Sequence, residues 1–263
     1  MDIITIHPQP VDLRLFRNRT AQPEDALHPI EKPTRVLDQR GNVLAMYDRL
    51  PKSKRLDRLA ELMQGLRFTK ANRSNGMNGM SRTFGGKPRL ANRGRHYCSH
   101  NRIKEENPEA EKALIENAVA MAHRYQANAE EVYREHDRQA EDLNQEWRIP
   151  GTPFTSGIVN ENNPLPYHLD AGNIQNVYSC MLVLRKDIEG GWLVCPELGV
   201  RFLLENGAVF MFDGQKILHG VSPMEKTSEQ GYRYSIVYYS LKAMWRCLTI
   251  DEELIHARST EGK

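Results

Sequence analysis

Nowhere does this chain of 263 residues carry a run of about eighteen apolar residues, so no membrane-spanning helix is expected. Its first residues, Met1 to Ile6, lack the charged-then-apolar pattern of a secretory leader. There are only four cysteines, and they are scattered. That usage fits a reducing interior rather than a disulfide framework. Together these absences predict an intracellular, cytoplasmic protein (host cytoplasm if viral) with no membrane partner. No internal repeat is present, which excludes solenoids and propellers. Charge of one sign is not in excess overall, the formal net charge being +2. The near balance hides a local absence, because residues 66–104 contain no Asp or Glu beside ten Lys and Arg. Such a stretch suits a polyanion, backbone phosphates above all. A solvated surface loop is the competing reading.

The length suits one large domain, or one domain with an extension. The expected division is an N-terminal extension over 1–105 that carries the basic segment 66–104, supporting helices over 106–147, a β-rich core over 148–245, and a C-terminal helix or tail over 246–263. In the extension, Val36 to Tyr47 alternates around residues 39–42 and predicts a hairpin. Leu56, Leu59, Leu62 and Met63 recur at helical spacing. After Pro108, the residues Leu114, Ala118, Met121, Tyr125, Val132, Tyr133 and Leu143 mark the apolar side of one or two amphipathic helices. His123 and His136 are assigned to the exposed sides of those helices. Residues 153–240 read as roughly eight short strands separated by turns, which predicts a sandwich or barrel of jelly-roll type. The fold class is therefore mainly β with flanking helices (α+β).

The chemistry concentrates in the β-rich part. His168 and Asp170 are two residues apart, and in a strand such residues share a face. One imidazole and one carboxylate can thus meet one cation, and His219, returned by a folded sheet, would complete a set of two His and one carboxylate. That set leaves three octahedral positions open and belongs to non-haem Fe(II) oxygenases. A chance His-x-Asp is the alternative for the pair alone. Arg233 and Ser235 are again two apart, on a β-branched and aromatic strand. A guanidinium there grips a carboxylate through two parallel hydrogen bonds, and a serine can add a third donor. An internal Asp or Glu is the competing partner. His96, Cys98 and His100 are three metal-binding types within five residues, a spacing awkward for a tetrahedral zinc site.

The order His-x-Asp, distal His, Arg-x-Ser resembles the 2-oxoglutarate/Fe(II) dioxygenases with a double-stranded β-helix (jelly-roll) core, over roughly residues 150–240. The resemblance implies that His168, Asp170 and His219 ligate Fe(II), that Arg233 pairs with the far carboxylate of 2-oxoglutarate, and that Ser235 assists it. It makes the 148–245 segment a catalytic core with O2 as second co-substrate. Asp170 aligns the chain with hydroxylases, since related halogenases carry a small residue there. Ser81 to Arg89, Phe154 to Asn160, and Gly190 to Pro196 leading to Phe212-Asp213-Gly214 and His219-Gly220 resemble the TET/J-binding-protein family, in a compact form like those of phages. That family oxidises the 5-methyl group of 5-methylcytosine or thymine in DNA, so DNA with a flipped-out base is the implied partner. No obligatory protein partner is evident. The cysteine-rich extension of the animal enzymes is absent, so their zinc sites do not transfer. Asn160 and Asn162 are candidates for reading the base, Asn173 for touching the co-substrate or base, and Arg82, Arg89, Arg93 and Arg95 for the DNA backbone. Ordinary turn chemistry competes for each Asn. Phe84, Tyr97 and Tyr167 are possible stacking surfaces for which core packing is the alternative. Two further functions stay open: a hydroxylase of a protein side chain or small molecule, and a non-catalytic nucleic-acid-binding module on the same fold.

Overall fold

The computed structural model of the protein describes residues 1–16, 18–71, 79–90 and 94–261; the expected contact Arg93 lies outside the described residues. The first part of the chain supplies β1 (Asp2–Thr5), β2 (His28–Ile30), β3 (Thr34–Leu37) and β4 (Val43–Arg49). Then come β5 (Thr69–Ala71), β6 (Gly79–Lys87) and β7 (Ser99–His100) in the basic stretch. After the helices follow β8 (Ser156–Glu161), β9 (Leu165–His168), β10 (Ser179–Lys186), β11 (Ile188–Gly190), β12 (Leu193–Cys195), β13 (Val200–Phe202), β14 (Ala208–Phe212), β15 (His219–Val221), β16 (Met224–Lys226) and β17 (Tyr232–Tyr239). The chain forms two compact units, one of residues 1–82, 159–171 and 179–237, the other of 83–158, 172–178 and 238–263.

In the first unit a large sheet has the order β1-β3-β4-β14-β10-β17-β8-β6-β5, and a smaller one β2-β13-β12-β15-β9. The chain of β6, β8 and β17 runs on from this unit into the second. Strand alternation explains the core. Met181 and Val183 of β10 pair with Phe210 and Ala208 of β14. These four side chains lie in one buried cluster with Leu193, Cys195, Val200 and Phe202 of the smaller sheet. The rings of Phe202 and Phe210, one from each sheet, meet edge-on at 4.7 Å. Two sheets facing one apolar layer make the sandwich expected of a jelly roll. Full burial of one Phe here is worth about 3–5 kcal/mol against Ala.

The N-terminal residues are built into this sandwich rather than appended to it. Strand β4 pairs antiparallel with β14 from Ala208↔Arg49 to Phe212↔Ala45, and β2 pairs parallel with β13. Ala45 and Tyr47 are fully buried in the shared core. The physical reason is edge coverage, because β14 and β13 would otherwise present unpaired backbone. The β3–β4 hairpin follows the expectation; Asp38 accepts the N–H groups of Arg40 and Asn42, each at 2.8 Å, and Gly41 takes φ +84°. So does the helix Lys54–Gln64, capped by Ser53 and burying Leu56, Leu59 and Met63.

The second unit holds the helices Pro108–Asn128 and Glu130–Glu141 and a C-terminal helix, Ile250–Glu261. Asn107 caps the first of these by accepting the Ala110 N–H at 3.1 Å, with Pro108 at its first position. Two sequence expectations change here. His136 is fully buried, not exposed, because it shares the inward face with Ala140; its Nε2 lies 2.8 Å from Ser240 Oγ. Cys98 and Cys247 form a disulfide across 149 residues of sequence, with Cα atoms 5.8 Å apart. Spacing along the chain carries no sign of such a pair, and the link removes Cys98 from any zinc site with His96 and His100. Cys180 and Cys195 are free and buried. Among the described residues no helix is long and apolar enough to cross a membrane.

Candidate metal centre

His168 ends β9 and His219 begins β15, and the two are direct partners in the antiparallel register. Cross-strand partners present side chains to one face, so the rings stand 4.3 Å apart, tilted by 52°. Asp170, two residues beyond His168, brings its Oδ1 to 3.7 Å from His168 Nε2. The ligand atoms of the three residues all lie within 4.8 Å of one another.

The orientation of the imidazoles is set by their own strands. His168 Nδ1 is 2.8 Å from the Pro166 carbonyl, and His219 Nδ1 is 2.9 Å from the Ile217 carbonyl. A carbonyl only accepts, so each Nδ1 carries the proton and each Nε2 presents its lone pair. Phe212 closes one side of His219, edge-on at 4.7 Å, and His219 is buried. The Asp170 N–H donates to the Gly214 carbonyl at 2.8 Å. A Cβ at residue 214 would sit 2.4 Å from Asp170 Oδ2, so a side chain there would displace the Asp170 carboxylate from this position. Two neutral nitrogens and one carboxylate oxygen converging on one face fit a mononuclear Fe(II) ion.

Arg233, on β17, is 2 % exposed. Its Nε and Nη2 are buried with no hydrogen-bond partner among the described residues. Burial, then the nearby charge of Arg185, pulls its pKa down to about 9, which leaves it cationic at neutral pH. The competing reading, an internal Asp or Glu partner, is not what the described residues show. A buried, unpaired guanidinium calls for an external anion, and a carboxylate of 2-oxoglutarate has the matching fork. Ser235 is buried too, its Oγ accepting from Asn160 Nδ2 at 3.2 Å. Asn162, in the left-handed region at φ +47°, accepts the Arg233 N–H through Oδ1 at 2.7 Å and donates its own N–H to the Arg233 carbonyl at 2.8 Å.

The structure therefore gathers His168, Asp170, His219, Arg233, Ser235, Asn160 and Asn162 in the first unit, with Arg82 on β6 also there. Asn173, in a β-bridge with Leu241, and Arg95, bridged to Leu90, belong to the second. Three of the residues expected to contact substrate have partners within the chain. Asn162 fixes the start of β17 instead of presenting its amide oxygen to a base. Asn160 is buried against Ser235. Arg89 pairs with the buried Glu253, Nη2 to Oε1 at 2.5 Å, because a buried carboxylate needs a cation or hydrogen-bond donors to offset its burial. Phe84 and Tyr167 are core residues, with Tyr167 donating its hydroxyl to Asp25 at 2.7 Å. Sequence reading missed Arg185, Gly191 and Gly214. The last two lie in the segments Gly190 to Pro196 and Phe212 to Gly214, which carry the family resemblance but give neither glycine a role of its own.

A family model, described as the oxygenase domain of the 2OGFeDO superfamily (Tet_JBP), matches residues 89–242, a span that includes the triad, Arg233 and Ser235. Among characterised proteins, the chain is similar to thymine dioxygenase JBP1 of Trypanosoma brucei brucei, 29 % identical over 107 residues, or 40 % of this chain and 13 % of that protein. Thymine dioxygenase JBP1 of Leishmania infantum is 28 % identical over 99 residues, 37 % of this chain and 12 % of that one. The chain thus spans a small fraction of the length of these relatives. Among solved structures, NgTET1 in complex with 5mC DNA superposes with a TM-score of 0.61 at 16 % identity, over 88 % of this chain and 90 % of that one, a likeness of fold.

Proposed function

From the premise that the chain belongs to the Tet/JBP family, the oxygenase domain of the 2OGFeDO superfamily, we propose that this Fe(II)- and 2-oxoglutarate-dependent dioxygenase hydroxylates the 5-methyl group of a pyrimidine, thymine or 5-methylcytosine, in DNA. The observation that carries the reading is the His168–His219 pair, each Nδ1 held by a backbone carbonyl, with the ligand atoms of both residues and of Asp170 within 4.8 Å of one another. The substrate class draws support from the relatives named as thymine dioxygenases and from the acid-free basic stretch 66–104.

In this reading His168, Asp170 and His219 hold the iron, and Arg233 grips the far carboxylate of 2-oxoglutarate with Ser235 beside it. A methyl C–H bond yields to no acid or base at neutral pH; bound iron, co-substrate and O2 supply the oxidising power, leaving succinate and CO2. The chain's own task is placement. The two backbone carbonyls behind the imidazoles hold the nitrogen lone pairs in one direction, and Gly214 holds Asp170 beside them. Phe212 keeps water from one side of His219. A methyl group inside a duplex cannot reach a metal held between two sheets, so the base leaves the stack. All residues proposed for iron and co-substrate fall within the expected core, 148–245.

The test is anaerobic loading with Fe(II) and 2-oxoglutarate, then O2 in the presence of DNA carrying thymine alone or added 5-methylcytosine, with digested nucleosides read by mass spectrometry. A gain of one oxygen on one base establishes the reaction and names the substrate. No gain, with slow succinate release, moves the substrate to a protein side chain or small molecule. Failure to take up stoichiometric iron leaves a non-catalytic binding module.

A further inference from the structure

A second buried arginine stands behind Arg233. Arg185, near the end of β10, is 9 % exposed. Its Nη2 donates to the Ile188 carbonyl at 2.6 Å and to the Gly190 carbonyl at 3.2 Å. Its Nη1 is buried with no hydrogen-bond partner among the described residues. The carbonyls it holds flank the Gly190–Gly191 turn, where both residues take positive φ, +71° and +69°. Gly191 in turn abuts Arg233, since a Cβ there would lie 3.2 Å from Arg233 Cδ and 3.3 Å from Nε. The Gly191 N–H is fixed to the Pro223 carbonyl at 2.9 Å. One turn therefore touches both guanidinium side chains, through Gly190 on one side and Gly191 on the other.

Charge gives the arrangement its meaning. Two cations lie buried close enough for Arg185 to act on Arg233. Three of their nitrogens, Arg185 Nη1 and Arg233 Nε and Nη2, find no acceptor among the described residues. Glu205 is the acidic group that acts on Arg185, and it offsets the cost of burial only in part. Such a pair is costly without an anion and favourable with one. A structural role for Arg185 alone, tying a turn, would not need a full charge or leave Nη1 open.

We propose that Arg185 is a positioning and specificity-determining residue of the co-substrate pocket: it fixes the Gly190–Gly191 turn against the Arg233 guanidinium and adds a second buried positive charge, so that the pocket selects 2-oxo acids bearing a far carboxylate. This rests on the assignment of Arg233 to 2-oxoglutarate. The experiment is a calorimetric titration of the full chain, loaded with Mn(II) in place of iron so that no turnover intervenes. The probes are 2-oxoglutarate and 2-oxobutyrate, which lacks the far carboxylate. Arg185→Gln should weaken 2-oxoglutarate roughly ten- to a hundred-fold, the range for a lost charged hydrogen bond, and leave 2-oxobutyrate within about two-fold. Arg185→Lys, which keeps the charge, should recover at least part of the loss for the dicarboxylate. Unchanged binding of 2-oxoglutarate by Arg185→Gln overturns the proposal, as does an equal loss for both acids. If the Gln variant fails to fold, the Lys variant decides: indifference to which acid is offered, in a folded protein, sinks the idea. A wild-type protein that binds both acids alike disproves the Arg233 assignment itself, before Arg185 enters.

Discussion

At the scale of single residues the site depends on places where no side chain fits. Gly214 is one. A methyl group there would overlap Asp170 Oδ2 at 2.4 Å and press on its Cγ at 3.1 Å. The carboxylate is the movable partner, so Gly214→Ala should leave the fold within about 1 kcal/mol of wild type but swing Asp170 away. Displacing a ligand through its support lowers metal affinity by about ten- to a hundred-fold. Anaerobic metal titration beside a thermal melt checks this; full metal affinity in the Ala variant would show that Asp170 does not depend on the close approach. The three residues proposed as ligands could be picked out in the sequence by the His-x-Asp spacing and the distal His, although β9 ends at His168 and Asp170 lies just beyond it, and so could Arg233, a cation on a strand made mostly of aromatic and β-branched residues. Gly214, Arg185 and the backbone role of Asn162 could not. Gly214 and Asn162 are defined by contacts with segments distant in sequence, Asp170 and Arg233, and Arg185 by the fold of the short turn that follows it, which brings the Ile188 and Gly190 carbonyls back onto its guanidinium.

At the scale of elements, β9 and β15 show how far patterning reaches. The apolar and polar alternation announces strands, but the register His168↔His219 that pairs the imidazoles comes from folding the whole smaller sheet. The helix Glu130–Glu141 shows the reverse. Helical spacing puts Val132, Tyr133 and Leu143 on one side, and His136 falls there too; reading it as exposed gives its polar identity more weight than its phase. Its burial has a consequence. Desolvation, and then the charge of Arg148, pull the His136 pKa down to about 3, against about 6.5 in an unfolded chain. Because the folded value is depressed, the unfolded state binds the extra proton. The stability from a neutral His136 is fully present above pH 6.5 and is lost as pH falls toward 3, with a slope of up to about 1.4 kcal/mol per pH unit. Denaturant titrations between about pH 7 and pH 4 should show His136→Gln losing stability less steeply than wild type, by about one proton. Parallel slopes would mean that His136 is protonated in the folded protein.

At the scale of the whole molecule the sequence is least transparent, since the composition averages away what matters. A net charge of +2 conceals a basic stretch, and four scattered cysteines conceal one long-range link. The Cys98–Cys247 disulfide closes a long loop and sits beside Glu253, which accepts the Cys98 and Leu248 N–H groups at 2.8 and 2.9 Å and pairs with Arg89. Cys98→Ser should therefore cost about 2–4 kcal/mol in denaturant unfolding; no change would mean that the Glu253 cluster holds the segment alone. The charge asymmetry makes a separate prediction. If the stretch 66–104 carries the DNA, several phosphate contacts release counterions, and raising salt from about 50 to 200 mM should weaken binding of a methylated duplex about a hundred-fold for about four contacts. Arg233 is buried and so weakly screened, and the concentration of 2-oxoglutarate needed for half-maximal turnover should move by no more than about three-fold over the same range. Fluorescence anisotropy of the duplex and succinate formation measure the two responses on one preparation. A salt-insensitive duplex affinity would remove the basic stretch from the DNA surface. It would also turn the substrate search toward protein side chains and small molecules.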